Sequence, residues 1–310
     1  MRRSGFDGLQ LRRRAAAAAA AALACAACHA GEMQALADDE LAAVRGADGL
    51  AFNLQNFSLT GPLTLTYTMP GPSGNTLWFS NLALSRSDDP AATFSDPYLL
   101  KVASRGGGLA DVIRLSEPAN ANGLLKWQIA ADWGVNADGI DFQGGGLVVQ
   151  DLVTRGGSVT LTTPATPGVE GIAFGLALRA DIGNLLIRPR GRDDTSLADP
   201  ASVSEQWRLS GIHLGAASDS GVLLGTPWVI ADATNQPGIV NAVTDSSGVS
   251  SLHLGIGWPT SAAAALIGGL AIDSIVFKSE ALPGGMLDLG SSRIGTMQIQ
   301  YLDIKLRAGY

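Results

Sequence analysis

Cysteine is almost absent from this chain of 310 residues, and both copies, Cys25 and Cys28, lie near the N-terminus. Histidine occurs three times and aromatic residues make up 6% of the chain. A domain built from the rest of the sequence contains no disulfide and no thiol nucleophile. Its stability must therefore come from buried apolar surface, for which about 280 residues are enough.

The N-terminus predicts export. Arginines at positions 2, 3, 12, 13 and 14 precede an unbroken apolar run from Ala15 to Ala27, and Cys28-His29-Ala30 is a small-x-small triplet. This order is typical of a secretory signal peptide over residues 1–30, cleaved after Ala30. The run is shorter than the about 20 apolar residues that span a bilayer. An uncleaved alanine-rich helix is one alternative, and lipidation of Cys25 or Cys28 is another.

Cleavage would make the chain strongly acidic. Five of the 21 basic and one of the 28 acidic residues lie in residues 1–30, which leaves 16 and 27, a net charge of −11. A surface with this balance disfavours nucleic acids and anionic membrane surfaces as partners.

Residues 31–50 predict one short helical entry motif. Asp38 or Asp39 is suited to cap a two-turn helix, and Gly46 to end it in a left-handed conformation.

Residues 51–310 predict a single all-β domain. Apolar residues alternate with polar ones in LTLTYTM (63–69), and Trp127, Ile129, Ala131 and Trp133 fall on one side of another strand. Gly- and Pro-rich segments at 70–74, 87–90, 105–108, 143–146, 155–157 and 283–285 predict turns. We expect a large twisted antiparallel β-sandwich or a filled barrel with bulged strands. Thr260 is the one position where a helical turn could begin.

A repeated motif indicates how some strands are built. Ile-Gly-x-apolar-x-Ile begins at Ile182, Ile267 and Ile294, more often than chance allows. After the last two copies the alternation slips by one residue. A slip moves apolar side chains to the wrong face unless a bulge restores it. We therefore predict bulges at Asp273-Ser274 and Gln300-Tyr301.

A short N-terminal segment resembles a known family. The residues MQALADDELAAVRGADGLAFNL are similar to the start of FilA-like pilus-system proteins from Gram-negative bacteria. The matching positions are Met33, Leu36, Asp39, Leu41, Val44, Gly46, Gly49 and Leu50. Ala47 stands where the family has Gln, and a second similarity covers RIGTMQIQYLDIKL. The resemblance implies an exported, surface- or pilus-associated β-protein and brings no catalytic residues with it.

The sequence predicts no catalytic, cofactor-binding or metal site. His213 and His253 occur in strand-like contexts, without a serine and an acid at the spacing of a catalytic triad. Acidic segments at 85–90, 136–141 and 190–199 are the best metal candidates. Asn136, Asp138 and Gly139 have calcium-loop spacing, but residue 134 is Gly and the closing glutamate is missing. A plain turn is the favoured interpretation.

These features predict a function through protein contacts. We expect an exported, non-enzymatic structural or adhesion component whose partners are other surface or pilus proteins. The alternation up to Tyr310 instead suggests an outer-membrane β-barrel, although the low aromatic content opposes it. A periplasmic sugar- or lipid-binding module with tryptophans as its platform is the third hypothesis.

Overall fold

The computed structural model describes residues 49–68, 74–88, 96–105, 109–166, 168–194, 203–232, 236–259 and 266–306. All of them belong to one compact unit, Ala47–Tyr310. The predicted signal peptide and most of the entry motif lie outside the described residues, as do Thr260 and Tyr310. In the described ranges, no helix has the length and hydrophobicity needed to cross a membrane.

The regular secondary structure of the described chain is almost all β-strand, as predicted. The strands are β1 (Leu50–Phe52), β2 (Ser58–Thr60), β3 (Leu65–Thr68), β4 (Thr76–Arg86), β5 (Tyr98–Ala103), β6 (Val112–Ser116), β7 (Trp127–Ala137), β8 (Ile140–Thr154), β9 (Ser158–Thr162), β10 (Ile172–Leu178), β11 (Ala180–Arg188), β12 (Gln206–Ala216), β13 (Trp228–Ala231), β14 (Gly238–Thr244), β15 (Ser250–Ile256), β16 (Gly268–Lys278), β17 (Met286–Asp288), β18 (Ser292–Met297) and β19 (Leu302–Leu306). A 3-10 turn covers Arg192–Asp194.

The strands form two antiparallel sheets packed as a sandwich. Sheet A has the order β1-β5-β6-β9-β10-β14-β15-β19, with β13 also paired to β10. Sheet B has the order β17-β16-β12-β11-β8-β7-β4-β2, with β18 paired to β16 and β3 to β4. Of the two predicted architectures the sandwich is confirmed. Within the described part of the chain the sheets do not close into a barrel.

Each sheet has one apolar face, and the two apolar faces are turned toward each other. In sheet B, Trp127 pairs with Leu152, and in sheet A, Tyr98 shares a face with Leu100. The Trp127 indole donates a hydrogen bond to the Tyr98 hydroxyl and so joins the sheets at one end. Elsewhere the ring of Trp228, on sheet A, lies over Gly268 of sheet B. Trp127 and Trp228 are accordingly buried.

Four neighbouring strands of sheet B share one irregular row. Strands β8, β11, β12 and β16 each contain two apolar residues separated by two others, so the slip seen in the sequence occurs on all four. The aligned pairs are Val149 and Leu152, Leu185 and Ile182, Leu209 and Ile212, and Ile275 and Ile272. Two residues of the row, Asp151 and Gly211, have left-handed φ angles of 52° and 60°.

The predicted bulge at Asp273-Ser274 is therefore wrong in detail. These residues lie opposite two residues of β12, Ser210 and Gly211, so the pairing stays one to one. A two-against-one bulge does occur where β8 meets the regular strand β7, because Gln150 and Asp151 face Gln128 alone.

The predicted bulge at Gln300-Tyr301 is also wrong. Both residues lie between β18, which pairs with β16 in sheet B, and β19, which pairs with β15 in sheet A. The slip in the sequence marks the point where the chain passes from one sheet to the other. All three Ile-Gly copies contribute to sheet B, through β11, β16 and β18.

Candidate functional site

A cleft opens on the face of sheet B that points away from sheet A. Its volume is about 530 Å³, within the range of about 300–1,000 Å³ that is common for ligand pockets. Strands β4, β7 and β8 supply one wall and residues 189–194 supply the other. The lining side chains include Trp78, Asn81, Asp132, Gln143, Asp193 and Asp194.

Asp132 is held in a fixed position at the centre of this cleft. Its Oδ1 accepts the Arg192 backbone N–H at 2.7 Å, and its Oδ2 accepts the Asn81 amide at 2.8 Å. Asn81 has a left-handed φ of 52°, at the two-against-one bulge where β4 meets β7. Asparagine adopts this conformation more readily than most non-glycine residues, and here it accommodates the bulge that turns the amide toward Asp132.

Glycines allow the two walls to approach this closely. A side chain at Gly146 would lie 2.1 Å from the Arg192 nitrogen. A side chain at Gly145 would lie 2.2 Å from the Arg188 carbonyl oxygen. The predicted turn at 143–146 is therefore wrong, because these residues lie inside β8. The glycines in this run let another part of the backbone contact the strand closely, and they do not reverse the direction of the chain.

A buried charged group supports the second wall. Arg188 is 0% exposed and donates to the Arg192 carbonyl oxygen at 2.9 Å. Burial lowers the pKa of Arg188, and the nearby Asp194 carboxylate opposes that shift. The Oδ2 atom of Asp194 is itself buried, and no described residue donates a hydrogen bond to it.

Both predicted strand histidines lie in strands and contact carboxylates. His213 Nδ1 is 2.8 Å from Asp181 Oδ1, and Arg155 Nε is 2.8 Å from Asp181 Oδ2. Burial raises the pKa of Asp181, but the hydrogen bonds from His213 and Arg155 outweigh it, so the net pKa is lowered. His213 Nε2 also lies 3.6 Å from Asp273. This is a stabilising polar row on a strand surface.

His253 makes a similar arrangement in sheet A. Its Nδ1 is 2.8 Å from Asn241 Oδ1, and its Nε2 is 3.3 Å from Asp303. A hydrogen bond from Lys305 lowers the pKa of Asp303.

The calcium candidate at 136–141 forms a tight hairpin. Asp138 and Gly139, with φ angles of 54° and 80°, connect β7 to β8 as a two-residue turn. Asn136 donates to Asp141 across the hairpin at 2.7 Å. Segments 85–90 and 190–199 are described only in part. In the described ranges, no group of three or more His, Cys, Asp or Glu side chains is placed to hold a metal ion.

The tryptophans divide between core and surface. Trp127 is buried, as its predicted strand face implies, and Trp133 on the same strand is half-buried. Trp207 and Trp258 are 50% and 63% exposed, and Trp258 stacks on Tyr301 with 5.6 Å between ring centroids.

Sequence reasoning did not identify Trp78, Asn81, Asp132 or Gln143 as site residues. Comparison of the chain with protein-family models, with curated proteins and with solved structures found no match.

Proposed function

We propose that this chain is an exported, non-enzymatic structural component of a cell-surface or pilus-related system, and that it assembles through protein contacts. The basic and apolar N-terminus and the FilA-like motif support export and surface association. The structural support is the incomplete coverage of the apolar faces inside the sandwich.

Sheet A shows this incomplete coverage most clearly. Ten large apolar side chains on its apolar face are between 36% and 59% exposed, although the face is turned toward sheet B. They are Leu50, Val102, Ile113, Leu115, Val159, Leu161, Ile172, Leu252, Ile304 and Leu306. A completed sandwich buries such positions, because each large side chain gains about 1.5–3 kcal/mol on burial.

The partner we propose is an extended segment of another surface protein that inserts between the sheets. A segment with alternating apolar side chains can fill the space between two apolar faces and pair with an open sheet edge. Addition of a partner strand to an incomplete sheet is a recurrent way of assembling β-proteins. The one-to-one register of β5, β6 and β9 in sheet A offers apolar rows at the spacing of such a strand.

Photo-crosslinking in cells tests this proposal. A photoreactive phenylalanine analogue at Val102 or Ile172, both on the apolar face, should crosslink to an apolar, extended segment of one exported protein. The same analogue at Lys101, on the opposite face of β5, should not. Mass spectrometry of the crosslinked peptide identifies the segment.

Two results would contradict the proposal. Crosslinks that are equally frequent at Lys101 and Val102 would show that the apolar face has no specific partner. Recovery of the protein only from detergent-extracted outer membrane, with lipid adducts at Val102 and Ile172, would favour the outer-membrane alternative. N-terminal sequencing should begin at Gly31, and a chain that still begins at Met1 would argue against export.

A further inference from the structure

We infer that the cleft between β4, β7, β8 and residues 189–194 binds a neutral saccharide. The inference is independent of the proposed partner contacts, because the cleft lies on the other face of sheet B. It begins with Trp78, which lines the cleft and is half-buried.

Trp78 is positioned for stacking by a glycine on the neighbouring strand. Its ring lies over Gly134, where a Cβ would approach the ring to 2.3 Å. The contact fixes one face of the indole against the sheet. A sugar ring carries C–H groups on one face, and these pack well on the apolar face of an indole.

The polar groups around Trp78 suit hydroxyl groups better than charged ones. Asp132, Asp193 and Asp194 supply carboxylate acceptors, and Asn81 and Gln143 supply amides that both donate and accept. A polyol has donors for the carboxylates and acceptors for the amides. The three carboxylates are matched by the guanidinium groups of Arg188, Arg190 and Arg192, so the cleft has no excess positive charge with which to attract phosphates or other anions.

The groups are held in place before a ligand arrives. Asp132 keeps two hydrogen bonds from Arg192 and Asn81, which orient its carboxylate while leaving further acceptor positions on each oxygen. The Arg192 guanidinium lies 3.2 Å from Asp193 and also donates to the Asn81 carbonyl oxygen. A preorganised cleft loses little conformational entropy on binding.

Binding can be measured directly on the purified exported protein. It is screened against an array of neutral and acidic oligosaccharides, and the strongest hit is titrated by calorimetry. Trp78→Ala should weaken binding about tenfold, because a stacked ring contributes about 0.5–1.5 kcal/mol. Gln143→Ala and Asp193→Ala should each weaken it about fivefold, the value of one hydrogen bond of about 1 kcal/mol.

The control is Trp258→Ala, which removes an exposed tryptophan outside the cleft and should leave the affinity unchanged. Gln143 and Asp193 are exposed, so their variants fold even if Trp78→Ala is destabilised. The inference is overturned if no neutral oligosaccharide binds with a dissociation constant below about 1 mM. It is equally overturned if only acidic glycans bind, or if affinity is lost in Trp258→Ala and kept in Gln143→Ala and Asp193→Ala.

Discussion

The two faces of sheet B differ in composition and in burial. The more apolar face has partly exposed side chains, whereas the more polar face has fully buried ones. The face toward sheet A carries rows of Leu, Ile, Val, Trp and Phe, yet Leu147 and Trp207 on it are 36% and 50% exposed. The other face, called the mixed face below, combines polar and aliphatic side chains. Its polar side chains include Arg188, Gln206, Asn184 and Asp181. Val148 and Leu186 on this face are nevertheless 0% exposed.

The difference shows that coverage, and not composition, decides which side chains are buried here. Residues 189–194 lie on Gly145 and Gly146 and cover one part of the mixed face. Sheet A touches the apolar face through local contacts such as Trp127 with Tyr98. The half-exposed apolar face is what a partner would cover under the proposed function.

The largest expected effect separates two adjacent leucines of β11. Leu186→Ala should cost about 2–5 kcal/mol of unfolding free energy, because Leu186 is fully buried and a cavity remains. Leu185→Ala should cost only about 1 kcal/mol, because Leu185 lies on the partly exposed apolar face and loses less buried area.

Urea unfolding of the two variants, followed by circular dichroism, checks this pair. Equal losses for Leu185→Ala and Leu186→Ala would show that the apolar face is as well covered as the mixed face. They would also remove the structural support for an inserted partner segment.

A smaller effect is expected where the mixed face is covered by backbone. Gly146→Ala places a methyl group 2.1 Å from the Arg192 nitrogen, and the overlap should cost about 1–3 kcal/mol. Gly257→Ala is the matched control, since the nearest atom to its new methyl group is the Pro237 carbonyl oxygen at 3.9 Å. Similar urea midpoints for the two variants would mean that residues 189–194 are not held against β8.

Alternation predicted the sheets and part of the core from sequence. Trp127, Ile129 and Ala131 share a face as their spacing indicates, because side chains in a strand alternate strictly. The slip was visible at Asp273-Ser274. Whether such a slip makes a two-against-one bulge depends on whether the neighbouring strands have the same slip at the aligned positions. The sequence of one strand does not show this.

The cleft was not predicted because its parts are distant in sequence. Trp78, Asp132 and Gln143 come from three strands, and the residues that cover Gly146 follow it by more than forty positions. Local rules interpret a glycine run as a turn, whereas here the run permits contact with residues 189–194. The sequence predicts the acidic segment 190–199 only as a metal candidate, although its described part forms a wall of the cleft.

The smallest expected effect concerns the ionised end of the mixed face. Asp181 is hydrogen-bonded by His213 and Arg155, and its pKa is lowered in the folded protein. A carboxyl with a lowered folded pKa stabilises the protein above its unfolded pKa, here near 3.8. That contribution disappears as the pH falls through the folded pKa.

Asp181→Asn should therefore be less stable than the parent at pH 7, by about 1 kcal/mol or less, and the difference should shrink toward pH 3. Asp273→Asn is the control, because the Asp273 side chain is 68% exposed and only 3.6 Å from His213, so solvent screens the contact. Urea unfolding at pH 7, 5 and 3 measures the difference. A gap between Asp181→Asn and the parent that stays constant over this range would mean that the Asp181 carboxylate is not stabilised by its two partners, and that the mixed face owes its stability to packing alone.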